Sequence, residues 1–340
     1  MRITRETLLK IARDTAAERV RVSRRLVCIY LVGSCLTDEP LLGGTTDIDL
    51  VMVHDSEPLQ QREIVRLSDE VHLDISHYSQ EMFRQPRHLR VHPWLGPVLY
   101  SKPLVLHDSN HWFDYAQAAT GAQFLMPDNV LARSRSLAGL ARQSWMQLSF
   151  NPEPDHRRRV YAFLKAVENA GNAIASLGGL PLTERRFLVQ LPQRAAGLGR
   201  PDLSSNLAAL LAGEAEVSDE TWAGWLAQGD QAFQAASQLP DVPIRLNPAR
   251  RAYALRAASS LWEKHPSAAF WLLFRTWTLA ASHLPSDSPA VLPWQEACQV
   301  AGLDKAHFSL RLEALDAYLD SVEEALDVWG QQHGAGENNE

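Results

Sequence analysis

Two carboxylates separated by one apolar residue, Asp47-Ile48-Asp49, stand thirteen positions after a Gly33-Ser34 pair in the stretch GSCLTDEPLLGGTTDIDL, residues 33–50. The apolar run Ile29-Tyr30-Leu31-Val32 ends at that glycine, and another begins at Leu50. On a strand, side chains at i and i+2 share a face, with their backbones about 6–7 Å apart. Two carboxylates so placed repel each other, and burial adds a desolvation cost. The pair must therefore be solvated or neutralised. A hard divalent cation neutralises it, because aspartate oxygens converge on such an ion. A third carboxylate, Asp74, lies in the alternating run His72-Leu73-Asp74-Ile75-Ser76, which reads as a neighbouring strand. Such a sheet is expected to bury Ile48, Leu50, Leu73 and Ile75 and to turn the three acids toward an open edge. Three carboxylates on adjacent strands are what one or two Mg²⁺ ions need to line up an attacking oxygen with a nucleotide α-phosphate. The Gly33-Ser34 turn adds close backbone N–H groups and a hydroxyl for a triphosphate. No GxxxxGK[ST] loop occurs, so the metal and this turn are expected to hold the phosphates.

The elements that must position these residues are legible in outline. Residues 4–22 carry a helical stripe of Leu8, Ile11, Ala12 and Thr15. Leu26 to Val32, Ile48 to His54, Val71 to Tyr78 and residues 103–107 read as strands. Residues 59–69 and an irregular, proline-interrupted segment at 87–99 read as helical, with Ser79 capping the turn before the latter. After about residue 108 the alternation stops. Helical periods then cover 128–149, 156–177, 218–237, 249–281 and 304–330, separated by breaks such as Asn151-Pro152-Glu153-Pro154 and Gly178-Gly179-Leu180-Pro181. The expected fold class is α+β: a small mixed-sheet domain over 1–108, an all-helical bundle domain over 109–330, and a disordered tail over 331–340.

At the acidic motif the sequence resembles the DNA polymerase beta-like nucleotidyltransferase superfamily. That pattern is Gly-Ser, a variable loop, Asp-x-Asp in one strand and a further Asp in a later strand. Gly33-Ser34, Asp47-Ile48-Asp49 and Asp74 match it, and Gly96-Pro97-Val98-Leu99-Tyr100 is similar to a later segment of the short members. The identifiable motifs cover about residues 20–108; the helical part matches in layout only. Two-domain bacterial nucleotidyltransferases acting on aminoglycosides and other small molecules look closest. The resemblance implies a Mg²⁺-dependent transferase in which Asp47, Asp49 and Asp74 are catalytic and ligate metal. Gly33, Ser34 and Lys165 would bind the nucleoside triphosphate, with ATP the first choice. The acceptor would be a hydroxyl of a small molecule or of a protein. The alternative within the same fold is a non-catalytic, antitoxin-like module that binds a nucleotide or a partner. The loop after Gly33-Ser34 departs from many short members: Cys35-Leu36-Thr37 replaces their Ala-Arg-Gly, and Asp38 and Glu39 follow.

Other residues admit two readings. Lys165 faces either a triphosphate or solvent. Arg157, Arg158 and Arg159 form a solvated face or reach phosphate. Glu168 and Asp155 are general-base candidates by proximity, or ordinary surface acids. His72 shares the alternation of Asp74, as a metal neighbour or a satisfied sheet histidine. The acidic last helix, with Asp316, Asp320, Glu323, Glu324 and Asp327, suits a cationic substrate or is an exterior stripe. Trp145, Trp222, Trp225, Trp262, Trp271 and Trp277 read mostly as core. Arg87 and His92 fit a loose ribonuclease spacing by chance.

Bulk properties narrow the classes. The chain has 340 residues and a net charge of −7, which disfavours a dedicated nucleic-acid binder. Cys28, Cys35 and Cys298 are scattered without metal-knuckle or disulfide spacing. The charged N-terminus lacks a signal-peptide core, and no apolar run approaches the roughly 20 residues of a membrane span. A cytoplasmic location is expected.

Overall fold

The computed structural model describes residues 3–151, 153–211 and 217–336. The chain divides into two compact units, Met1–Asn129 and Val130–Glu340.

The first unit is a five-stranded mixed sheet with helices on both faces. Helix α1 (Arg5–Val22) is capped by Thr4, whose hydroxyl accepts from the Thr7 N–H. Strands β1 (Leu26–Val32), β2 (Thr46–His54), β3 (Arg62–Arg66), β4 (Val71–Ser79) and β5 (Leu104–Asp108) assemble in the order β3-β4-β2-β1-β5. Only β2 and β4 run parallel; the other ladders are antiparallel. Alternation sorts the side chains. Leu8, Ala12 and Ala16 of α1 pack with Ile29, Leu31, Ile48, Leu50, Leu73 and Ile75 on one face. On the other face Tyr30, Val51 and Val53 meet Leu89 of α2 (Pro86–Val91), Leu95 and Leu99 of α3 (Leu95–Tyr100), and Phe113 of α4 (Trp112–Gly121).

The segment 59–69 was expected to be helical and instead contains β3. Its five ordered residues alternate Arg62, Ile64 and Arg66 against Glu63 and Val65. That is too short for periodicity to separate the two forms, and charged residues suit an edge strand. The irregular segment 87–99 resolves into the two short helices α2 and α3. The first unit also extends past residue 108. Phe113 packs on Tyr30 with the rings tilted by 57° and their centroids 5.1 Å apart. The Asp108 carboxylate accepts from the Phe113 N–H at 3.1 Å, which fixes α4 to the end of β5.

The second unit is helical: α5 (Pro127–Phe150), α6 (His156–Leu177), α7 (Phe187–Gly197), α8 (Asp202–Leu211), α9 (Asp219–Ser237), α10 (Arg251–Leu261), α11 (Pro266–His283), α12 (Leu292–Val300) and α13 (Phe308–His333). The expected helix 249–281 is two helices, broken before Pro266, which cannot continue the hydrogen-bond ladder. Helices α7, α8 and α12 lie outside the periods read from sequence. Trp222, Trp225, Trp271 and Trp277 are buried as expected. The tail expected to be disordered from 331 continues as helix in part: α13 runs through His333 to a left-handed Gly334, while 337–340 fall outside the described residues. No helix among the described residues is long and apolar enough to cross a membrane.

Candidate functional site

The acids gather where β1 ends, on the sheet face shared with Val51 and Val53. In the parallel β2–β4 ladder Asp49 lies opposite Asp74 and Asp47 opposite His72. Residues directly opposite share a face, so period-2 geometry places all four side chains on one side. The antiparallel β1–β2 ladder sets Val32 opposite Asp49, which delivers the Gly33 bend to the same spot. Gly33 adopts φ +79°, a left-handed conformation that favours glycine. A Cβ there would stand 2.1 Å from Oδ2 of Asp49. The glycine is thus required twice, for the turn and for the space that the Asp49 carboxylate occupies.

Ser34 opens a 3₁₀ turn, Ser34–Leu36. Its hydroxyl lies 3.1 Å from that of Thr46, tying the bend to the first residue of β2. Cys35 is buried and donates its S–H to the Asp47 carbonyl at 3.2 Å. Burial first, then the carboxylates of Asp49 and Asp47, push the Cys35 thiol up to about 12. The thiol is therefore inert and part of the scaffold.

The acids do not face an open edge. β2 and β4 are interior strands, Asp47 is 6% exposed and Asp74 2% exposed. For Asp74 the physical reason is a countercharge that the sequence reading did not include. Arg62 of β3 donates Nε to Oδ1 of Asp74 at 2.6 Å and an Nη to Oδ2 at 2.7 Å. This bidentate fork neutralises the buried carboxylate. Arg62 was missed because residues 59–69 were read as helix, which hides a residue two positions along the neighbouring strand.

Asp47, His72 and Asp74 each offer a ligand atom, and these atoms lie within 4.8 Å of one another. All three residues are buried. A carboxylate has about four lone-pair sites, and the fork from Arg62 takes one on each oxygen of Asp74. That set of three donors fits a divalent cation; Asp49, opposite Asp74 in the ladder with its carboxylate turned against Gly33, is not part of the group.

The remaining candidates lie in the second unit, and the acids and Arg157 among them have partners there. Lys165 is exposed on α6 in the second unit. Asp155 caps α6 and pairs with Arg157, whose guanidinium also donates to the carbonyls of Ala281 and Leu284. Glu168 pairs with the buried Arg275. Neither acid is an idle base, and Arg157 is structural rather than a solvated face. Asp316, Asp320 and Glu323 converge on Arg142 of α5, so much of that acidic stripe serves to pin α13 to α5.

No family model matches the chain, and no curated protein matches it. Among solved structures, a nucleotidyltransferase-like protein from Exiguobacterium sibiricum 255-15 matches over 93% of this chain and 91% of its own, at 11% identity and a TM-score of 0.33. The functional reading therefore stands on the residues themselves.

Proposed function

We propose that this protein is a divalent-cation-dependent nucleotidyltransferase. It would move a nucleoside monophosphate from a triphosphate, ATP being the first to test, to a hydroxyl of a small-molecule acceptor. One observation carries the reading: Asp49 and Asp74 are directly opposite in a parallel ladder, with Asp47 alongside and a glycine bend folded against Asp49. Asp47, Asp49 and Asp74 would hold the cations, which supply charge neutralisation of the triphosphate and of the leaving pyrophosphate. Gly33 and Ser34 would receive phosphate oxygens through backbone N–H groups and the Ser34 hydroxyl. Burial of Asp47 and Asp74 keeps water from competing for the cation. Arg62 holds Asp74 in one rotamer and offers a positive charge beside the phosphates. In the transfer, the bond from the α-phosphorus to the bridging oxygen breaks and pyrophosphate leaves, while the acceptor oxygen bonds to the α-phosphorus and gives up its hydroxyl proton to solvent.

The test is to incubate the protein with radiolabelled ATP, GTP, CTP or UTP, a divalent cation and candidate hydroxyl acceptors. Label is expected on an acceptor, with pyrophosphate released. Asp47→Asn and Asp49→Asn are each expected to reduce transfer by at least a hundredfold; transfer that survives both removes the assigned roles.

A second reading has its own observation. Arg62 engages both oxygens of Asp74, as a guanidinium does when it stands in place of a cation. On that reading the site binds a nucleotide without turnover. Calorimetry showing triphosphate binding, with no pyrophosphate released by any acceptor, would favour it.

A further inference from the structure

The Asp-x-Asp pattern with a later aspartate supplies oxygen ligands only. This chain adds a nitrogen. His72 is paired directly with Asp47 across the β2–β4 ladder and lies two residues before Asp74 on the same strand face. A ring nitrogen of His72 falls within 4.8 Å of ligand atoms of both aspartates, and its side chain is 1% exposed. Cis ligands about 2.1 Å from one ion stand about 3 Å apart, so small side-chain rotations bring the three donors into one coordination sphere.

We propose that His72 is a metal ligand of this site, and that the centre therefore favours first-row transition-metal dications over Mg²⁺, with paramagnetic Mn²⁺, the weakest binder of that series, as the probe. The proposal rests on the reading of the acid cluster as the cation site of a nucleotidyltransferase, and it specifies that site further. Mg²⁺ takes hard oxygen ligands, demands near-ideal octahedral geometry and gives up its waters reluctantly. Imidazole suits later first-row ions, and affinity for a nitrogen-containing set rises along the series from Mn²⁺. A buried pocket of two carboxylates and one imidazole rewards an ion that will shed water for nitrogen. Arg62 pushes the same way. Its fork on Asp74 satisfies part of that carboxylate and lowers the charge offered to the cation, which penalises an ion bound by charge alone.

The test uses the full-length protein, stripped of metal and titrated with Mn²⁺ and, separately, with Mg²⁺. His72→Ala is expected to weaken Mn²⁺ binding at least tenfold while changing Mg²⁺ binding less than threefold, and His72→Asn to do the same. Equal losses for the two ions, or an unchanged Mn²⁺ affinity, overturn the assignment. Pulsed electron paramagnetic resonance on the wild-type Mn²⁺ complex does not depend on how the variants fold. It is expected to show ¹⁴N coupling from a directly bound imidazole, and absence of that coupling overturns the proposal. The two readings separate cleanly. Transfer of label with no ¹⁴N coupling sinks the role of His72 and leaves nucleotidyl transfer standing. Coupling in a protein that transfers nothing upholds His72 as a ligand and sinks the transfer. A wild-type protein that binds neither ion sinks both.

Discussion

Arg62 lies on the edge strand two residues before Ile64, the ladder partner of Asp74, and reaches diagonally to hold both oxygens of that aspartate at 2.6 and 2.7 Å. The contact is charge-assisted and planar, which lysine cannot reproduce. Asp74 is 2% exposed, so removing Arg62 takes a charge-assisted partner from a dry carboxylate. Arg62→Ala is expected to cost about 1–3 kcal/mol in metal-free protein. Saturating Mn²⁺ or Mg²⁺ should recover much of that loss, because a cation then neutralises Asp74. Thermal melts with and without cation check this. A loss of the same size in both conditions would show that Asp74 is no cation ligand.

Gly33 makes a second, independent demand. Its φ of +79° and the 2.1 Å approach of Asp49 Oδ2 to a notional Cβ act together. Gly33→Ala would have to strain the bend and displace Asp49 at once. The variant is expected to lose about 1–3 kcal/mol of stability and to bind a Mg²⁺–triphosphate at least tenfold more weakly. Urea denaturation and calorimetry measure the two effects. Wild-type nucleotide affinity in a destabilised Gly33→Ala protein would separate the bend from the site.

The legible part of this site was whatever a strand pattern exposes. Asp47 and Asp49 on one face, Asp74 on a neighbouring strand and Gly33 at the end of β1 follow from alternation and from one glycine. Burial of Asp74 did not follow, because it is compensated by Arg62, and a five-residue edge strand is too short to betray its period. The α5–α13 pinning by Arg142 was equally hidden. Its partners, Asp316, Asp320 and Glu323, lie more than 170 positions along the chain, and charge pattern alone cannot name a distant partner. The helical unit was readable where amphipathic periods are long, as in α6. It was unreadable where helices are short, as in α7, α8 and α12.

A pair of imidazoles on the α1 side of the sheet gives a pH-dependent expectation. His54 Nε2 lies 3.0 Å from His77 Nδ1, and His77 Nε2 lies 3.5 Å from Glu63, which is itself paired to Arg19. Burial first, then the neighbouring imidazole, holds His54 below the usual histidine range. Burial also holds His77 down, against the opposing pull of Glu63. The unfolded imidazoles titrate near about 6.5. As pH falls through that value the unfolded chain takes up protons that the folded pair resists, so stability falls with falling pH. The melting temperature should decline between pH 7 and pH 5.5, and less steeply in His54→Gln. An identical slope in the variant would remove the pair from the account.

In the helical unit the buried ion cluster around Arg275 sets the largest expected stability effect. Arg275 is 3% exposed and pairs with Glu168 at 2.5 Å and with Glu184, which also pairs with Arg245. Burial pushes the Glu184 carboxyl up, but Arg245, Arg275 and Arg250 outweigh it and hold the group well below the usual range. Removing one member of such a cluster costs more than the cluster itself contributes, because the orphaned charges stay buried. Arg275→Met is therefore expected to lose about 3–5 kcal/mol at pH 7. The pH dependence has a definite sign. In the wild-type protein the stability from Glu184 is complete above the unfolded carboxylate value of about 4.3 and is lost as pH falls below it. In the variant the carboxyl is released upward, so protonation relieves it and the variant gains relative to wild type as pH falls. Urea unfolding at pH 7 and pH 3 should show the gap between the two proteins narrowing. A gap that stays constant would mean that Arg275 acts through packing rather than through charge.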